Sequence, residues 1–209
     1  LPDDADPGTR LHLALPVTAT SHELHGGAWT DTAPATHAAL TAALGGASTL
    51  AYEATPTTGW QLRQLGEERT VYWNDALTAA LPLGEVGARA LPHQRYQLAI
   101  TPGLLTDVFS TDATEAMLTT EAGYVDLDDD DRWWVPSGVV TPSAAAFYQP
   151  VTVTDAWGHT SSVTWDDHAL FPIEVVDALG LVTTATHDYA HLQPTTVTDP
   201  NGTTSEAAY

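Results

Sequence analysis

The residues with the clearest capacity for chemistry lie near the end of the chain, in the run His187-Asp188-Tyr189-Ala190-His191. Imidazole nitrogens and a carboxylate are good ligands for Zn²⁺. The run follows a predicted strand instead of lying on a helix, where positions i and i+4 share a face. Because His187 also occupies a position that is aromatic in the neighbouring repeats, we interpret it as structural and expect neither a metal site nor a cofactor.

A second candidate is the acidic run of Asp126 and Asp128 to Asp131, whose hard oxygen atoms are of the kind that Ca²⁺ prefers. The spacing departs from that of an EF-hand loop, because no Gly stands at the sixth position and no Glu at the twelfth. We interpret the run as a solvated turn before Trp133.

Four tryptophans, Trp133, Trp134, Trp157 and Trp165, could form a platform for sugars. Aromatic side chains are also the main packing residues of an Ala-rich chain, so we expect them in the core. The sequence shows neither a Ser-His-Asp set with a recognisable elbow nor a Gly-rich loop that could hold phosphate. These patterns favour a protein that is not an enzyme. An enzyme that uses the histidine run is the least favoured of three hypotheses for the function.

The charge of the chain restricts its partners. It has 27 Asp and Glu against 6 Lys and Arg, and its net charge is −21. Phosphate backbones and anionic lipids would repel such a surface, which argues against nucleic-acid binding and membrane insertion. The absence of Cys excludes a disulfide framework. The chain opens on Leu1 with no signal peptide and stops at Tyr209 inside a repeat, so we expect a segment of a longer polypeptide.

The last third of the chain repeats with a period of 22 residues, in copies 150–171, 172–193 and the truncated 194–209. Three residue types recur in phase: Pro150, Pro172 and Pro194; Asp155, Asp177 and Asp199; and Gly158, Gly180 and Gly202. A fixed period of about 20–50 residues is typical of repeat architectures.

Each repeat is predicted to be a hairpin. Val151 and Val153 alternate with Thr, a period of two that suits a half-buried strand. The Asp of each copy favours the first position of a type I turn, and the Gly accepts positive φ at the fourth. Asp199-Pro200-Asn201-Gly202 is the strongest version, because Pro200 presets φ at the second position. A lone hairpin is marginal in water, so each must pair with its neighbours.

The second strand of each hairpin ends in an aromatic slot, which we define as Trp165, His187 and Tyr209. The expected strands lie near 151–154, 159–165, 173–176 and 181–187, and the expected turns are 155–158 and 177–180.

Residues 1–149 show no such period and predict a β-rich region with a few short helices. One helix is expected over 34–44, capped by Asp31 and Thr32, and another after a capping box of Asp112 and Glu115. Strands are expected at 70–73 and 96–100. We place a domain boundary at residue 149 and expect both parts to share one continuous sheet.

These residues resemble the B component of insecticidal Tc toxin complexes, which belongs to the Rhs/YD-repeat proteins. The similarity covers roughly residues 50–209. It is carried by Asp-Pro-Asn-Gly at 199–202, Trp-Asp at 165–166 and His-Asp at 187–188, and upstream by Leu-Ala-Ile-Thr-Pro-Gly-Leu at 98–104, Gly-Tyr-Val-Asp-Leu at 123–127, Arg-Trp-Trp-Val-Pro-Ser-Gly at 132–138 and Phe-Tyr-Gln-Pro at 147–150. His187 departs from the pattern, because the family has Tyr there.

The resemblance implies a mainly β fold, with antiparallel hairpin repeats forming part of a large β-sheet shell and a few short helices in the N-terminal part. In that family the shell, built by the B component and part of a C component, encloses a cytotoxic passenger and docks onto a pore-forming A component. The implied partners are therefore other shell segments, a C component and, indirectly, an A component, in a secreted or extracellular complex. The alternative is a cell-surface or carbohydrate-binding β-repeat module.

Overall fold

The structure, a computed structural model, describes residues 15–27 and 34–209. This part of the chain contains thirteen strands and a few short helices, and 15% of it is helical. The strands form two sheets. The predicted mainly β fold is confirmed, whereas the expectation of one continuous sheet is wrong.

The first sheet contains β1 to β6, in the order β1-β3-β4-β6-β5, with β2 pairing with β3. Strand β1 is antiparallel to β3, with a bulge after Ser21, and β2 is parallel to β3. The bounds are β1 Thr18–His25, β2 Ser48–Leu50, β3 Gln61–Tyr72, β4 Pro92–Ile100, β5 Val125–Asp126 and β6 Trp133–Pro136. The strands expected at 70–73 and 96–100 thus lie in β3 and β4, apart from Trp73.

The second sheet, called the repeat sheet below, contains β7 to β13 in chain order, and each strand is antiparallel to the next. This arrangement follows from the hairpin period, because each strand is joined by a short turn to the strand it pairs with. The bounds are β7 Val139–Ser143, β8 Gln149–Thr154, β9 Thr160–Trp165, β10 Pro172–Val176, β11 Val182–Asp188, β12 Gln193–Thr198 and β13 Thr204–Glu206.

Helix α1 spans His37–Gly46, so it begins later than the predicted residue 34. Thr36 is the N-cap, since its hydroxyl oxygen accepts the N–H of Ala39 at 3.2 Å. The predicted caps, Asp31 and Thr32, lie outside the described residues. The helix begins at His37 because Thr36 itself is extended, with φ −75° and ψ 157°.

The other helical segments have at most eight residues. Helix α2, Pro102–Leu104, continues as a π-helical turn over Leu105–Phe109; Met117–Glu121 is a second π-helical turn, and Ala144–Ala146 is a 3₁₀ turn. The predicted capping box was wrong, because Thr114, not Asp112, accepts the N–H of Met117, at 3.3 Å. None of the helices in the described part of the chain is long and apolar enough to cross a membrane.

The chain divides into two compact units. One contains 16–70 and 96–136, and its core is built on Ile100, Leu118 and Trp133, with Leu104 and Tyr124 packed against them.

The other unit contains 71–95 and 137–209. In it the indole of Trp73 donates to the carbonyl oxygen of Val140 at 2.8 Å, which holds the outer side of β7. Among the described residues 139–209, only Pro142 and Ala169 are fully buried. The repeat sheet is therefore a single layer within this unit.

Candidate functional site: the hairpin turns and their closures

The three predicted turns share one geometry. Gly158, Gly180 and Gly202 donate their N–H groups to the carbonyl oxygens of Asp155, Asp177 and Asp199, at 3.1, 3.0 and 2.9 Å. The three glycines have φ of 87°, 80° and 80°. Such a left-handed residue after a type I turn gives the three-residue hairpin loop with a bulge, which suits the twist of the flanking strands.

The Asp side chain of each turn binds two backbone N–H groups. Asp155 accepts from Trp157 and His159, both at 2.9 Å. Asp177 accepts from Leu179 at 2.8 Å and Leu181 at 2.9 Å; Asp199 accepts from Asn201 at 2.9 Å and Thr203 at 2.8 Å. Pro200 has no N–H to donate, and its position in the turn requires none. The recurring Asp thus fixes the turn by hydrogen bonding.

The aromatic slot closes the other end of each hairpin. Trp165 donates its indole N–H to the Pro150 carbonyl at 2.8 Å, and the Tyr209 hydroxyl donates to the Pro194 carbonyl at 3.0 Å. Both bonds join residues 15 positions apart, from the end of the second strand to the start of the first. Two chemically different side chains therefore perform the same closure.

His187 occupies the slot of the middle repeat without making this bond. Its ring stacks on Phe171, with centroids 4.5 Å apart and an angle of 7° between the planes. Its Nδ1 is buried and has no hydrogen-bond partner among the described residues. The middle hairpin thus has an aromatic stack in place of the hydrogen bond.

Sequence reasoning missed a second set of turns, which connect one hairpin to the next. Asp166 accepts the N–H of Leu170 at 2.7 Å and also the hydroxyl of Tyr189. Asp188 accepts the N–H of Ala190 at 2.7 Å. The signal was present, since Asp166 and Asp188 are also 22 residues apart.

The candidate zinc ligands make separate contacts. His191 Nδ1 lies 2.8 Å from Asp188 Oδ2, and the hydrogen bond from His191 holds the pKa of Asp188 below its usual value. His191 stacks near Tyr209, with centroids 5.8 Å apart, whereas His187 stacks on Phe171. No group of three or more metal-binding side chains occurs in the described part of the chain.

The acidic run is an exposed turn over 127–131, as expected, and it also forms ion pairs. Asp128 pairs with Arg69 at 2.7 Å and with Arg132 at 2.9 Å. Glu67, on β3, pairs with the same two arginines, at 2.7 and 3.2 Å. Both guanidinium groups also lie over the ring of Trp134, at 4.3 and 5.5 Å from its centroid. The run is therefore part of an ion-pair network.

Glu67 is the buried member of this network, with 8% of the residue exposed. Burial raises the pKa of Glu67, but hydrogen bonds from Arg69 and Gln64 and the charges of Arg69 and Arg132 outweigh it, so the pKa is lower than usual. The carboxylate is therefore ionised and structural at neutral pH.

Of the four tryptophans expected in the core, two are buried, Trp165 is half-buried and one is exposed. Trp133 and Trp134 are 3% and 0% exposed, as expected of core residues. Trp157 lies at a turn tip and is 60% exposed, so its predicted place in the core was wrong. The reason is its position within the Asp155–Gly158 turn, which projects beyond the strands.

Solved structures of toxin-complex proteins have a similar fold. A crystal structure of TcdB2-TccC3-TEV matches 70% of this chain with a TM-score of 0.57 and 22% identity. A crystal structure of TcdB2-TccC3 without its hypervariable C-terminal region gives the same values over 72%. A Photorhabdus luminescens Tc holotoxin pore with a mutation in TccC3 matches 66%, with a TM-score of 0.55 and 23% identity.

The likeness shows a shared fold. In all three comparisons, this chain spans 7% of the length of the other chain. No family model matches the sequence, and the comparison with curated proteins gives no match.

Proposed function

We propose that this chain is a structural segment of a toxin-encapsulating β-shell, in which it shields a C-terminal cytotoxic passenger. The observation that carries the proposal is the single-layer repeat sheet, in a fold shared with TcdB2-TccC3 structures. A wall of this kind can be extended by repetition, since each hairpin of the described repeat sheet pairs only with the hairpins before and after it.

The proposed partners follow from this role. Other segments of the same shell would pair with the repeat sheet, a C component would carry the passenger, and a pore-forming A component would be reached indirectly. The Rhs/YD character and a secreted location belong to the same proposal. The segment itself would perform no catalysis, because the described Asp and aromatic side chains of the repeats serve turns and closures.

Limited proteolysis of the full-length polypeptide that contains this chain tests the proposal. We expect the passenger to be digested much more slowly in the intact protein than after release, because the wall excludes the protease. A Gly180→Val variant, which strains a hairpin turn, should speed digestion, and Leu179→Val at the neighbouring position is the matched control. A passenger that is digested equally fast in both forms would refute enclosure and place the binding-module alternative first.

A further inference from the structure

The two faces of the repeat sheet differ in chemistry. Val153, Val175 and Val197 occupy one position of the repeat, 22 residues apart, and are 40%, 39% and 37% exposed. Successive side chains of a strand point to opposite faces, so the pairing register of the strands assigns each residue to a face. The face that carries Val140, Val153, Val163, Val175, Ala185 and Val197 is called the valine face; it also carries Ser161, Thr183 and Ser205, which pair with Val153, Val175 and Val197.

The opposite face, called the threonine face, is polar. Its side chains are mainly hydroxyls, those of Thr152, Thr154, Thr184, Thr186, Thr196 and Thr198, and its apolar pair is Val176 and Val182. Hydroxyl groups pair across strands, as between Thr154 and Thr160 at 3.0 Å and between Thr198 and Thr204 at 3.0 Å. The alternation also places the strand carboxylates Glu174, Asp188 and Glu206 on this side.

The valine face therefore has no charged side chain within its strands, although the chain has a net charge of −21. The remaining carboxylates of the repeats lie in the turns. A partner could therefore cover this face without removing any carboxylate from water. Desolvation of carboxylates is the large energetic cost of burying an acidic surface, and it is avoided here.

The size of the valine face suits a dimer. Seven strands spaced about 4.8 Å apart, with a mean length of about 17 Å, give a footprint near 570 Å² on each copy. Two such faces would bury about 1,100 Å², above the roughly 1,000 Å² expected of a specific interface.

We propose that the valine face is a docking surface for a second copy of this chain, which forms a two-sheet sandwich. A face of valine and small hydroxyl side chains, with no carboxylate on it, can pack against its own copy about a twofold axis. Two apolar sheet faces pack about 10 Å apart, as in β-sandwich cores. The carboxylates of both copies stay on the rims and outer faces, where salt screens their repulsion. This proposal is independent of the shell function.

Analytical ultracentrifugation of the 209-residue protein tests it. We expect a monomer–dimer equilibrium that tightens as NaCl rises from about 0.05 to about 0.5 M, because the Debye length shortens. Val175→Asp would bury two unpaired carboxylates and should weaken dimerisation at least about 100-fold. Val182→Asp makes the same substitution on the threonine face, where Val182 pairs with Val176 and is already 41% exposed, and should leave dimerisation unchanged.

A second variant separates face packing from pairing at the open edge of β13. Asp199 and Ala207 donate their N–H groups to Thr203 and Thr195, so the N–H of Glu206 points away from β12. Glu206→Pro therefore blocks edge pairing without breaking the β12–β13 ladder. The dimer should survive this change. A dimer lost with Glu206→Pro but kept with folded Val175→Asp or Val197→Asp, or a monomer at every salt concentration, would overturn the proposal.

Discussion

The indole N–H of Trp165 reaches across the first hairpin to the carbonyl oxygen of Pro150, 2.8 Å away. The pair of β8 and β9 furthest from the turn is Thr152 and Ser162, so the bond lies beyond it, where the two strands would otherwise separate. It satisfies a carbonyl group that the ladder leaves open, and the same bond joins Tyr209 to Pro194. A side chain thus completes the backbone pairing of a short hairpin.

We expect Trp165→Phe to lower the free energy of unfolding by about 1–2 kcal/mol, because the ring remains but the Pro150 carbonyl loses its donor. Urea unfolding followed by circular dichroism measures the change. Trp157→Phe is the matched control, since Trp157 lies exposed at the turn tip of the same hairpin. Equal losses from the two substitutions would mean that the closure contributes nothing.

His187→Tyr should stabilise the protein by about 1 kcal/mol, because a hydroxyl at this position can donate to the Pro172 carbonyl as Tyr209 does to Pro194. His187→Phe keeps an aromatic ring without the hydroxyl and separates stacking on Phe171 from hydrogen bonding. Thermal unfolding of the three proteins gives the comparison. If the Phe variant gains as much as the Tyr variant, the hydroxyl is not the cause.

Gly180→Val should cost about 1–3 kcal/mol through backbone strain alone, because φ at Gly180 is 80° and an added Cβ would meet no atom within 4 Å. Leu179→Val should cost less, since Leu179 is 85% exposed. Gly180→Asn should be intermediate, as Asn tolerates the left-handed region. Chemical denaturation ranks the three variants, and a Val variant as stable as the wild type would contradict the turn geometry.

The lowered pKa of Glu67 predicts a pH dependence. Stabilisation by a carboxylate with a depressed folded-state pKa is complete above its unfolded-state pKa and is lost as the pH falls through the folded-state value. Glu67→Gln should therefore destabilise the protein by about 2 kcal/mol near pH 7 and much less near pH 3. Glu68→Gln, at the exposed neighbouring position, is the control and should change little at either pH. A Glu67 effect that is constant with pH would exclude this role of the charge.

Titration of the protein with Zn²⁺ should give no tight 1:1 binding at His187, Asp188 and His191. The two histidine rings stack on different aromatic residues, and Asp188 is bound to His191 and Ala190. Isothermal calorimetry measures this directly. Tight binding that His191→Ala abolishes would restore the metalloenzyme hypothesis.

The hairpins could be predicted from sequence because their determinants are local. Asp177 and Gly180 lie within one turn, and the Val-Thr alternation precedes it. Helix ends were predicted less well, because this chain offers many hydroxyl and carboxyl caps, and Thr36 and Thr114 serve where other residues were expected. Residue types alone do not show which of several neighbouring hydroxyl or carboxyl residues caps a helix.

The long-range contacts could not be predicted from sequence. Glu67 and Arg132 are 65 positions apart, and only the register of β3, β4 and β6 brings them together. The closure bonds could not be predicted for the same reason. The interval from Pro150 to Trp165 is visible in the sequence, but it indicates a contact only when the pairing of the strands is known. Burial of Trp134 follows from the same register, because it pairs with both Leu98 and Val125.

The two ends of the repeat sheet differ in how they are held. Trp73 binds the outer side of β7 at Val140, whereas β13 pairs only with β12 among the described residues. In a sheet whose strands contact only their neighbours in the sequence, local unfolding begins at the strand with the fewest contacts. Because β13 has only three residues, all of them exposed, the amide protons of the β12–β13 hairpin should exchange faster than those of the hairpins formed by β8 to β11.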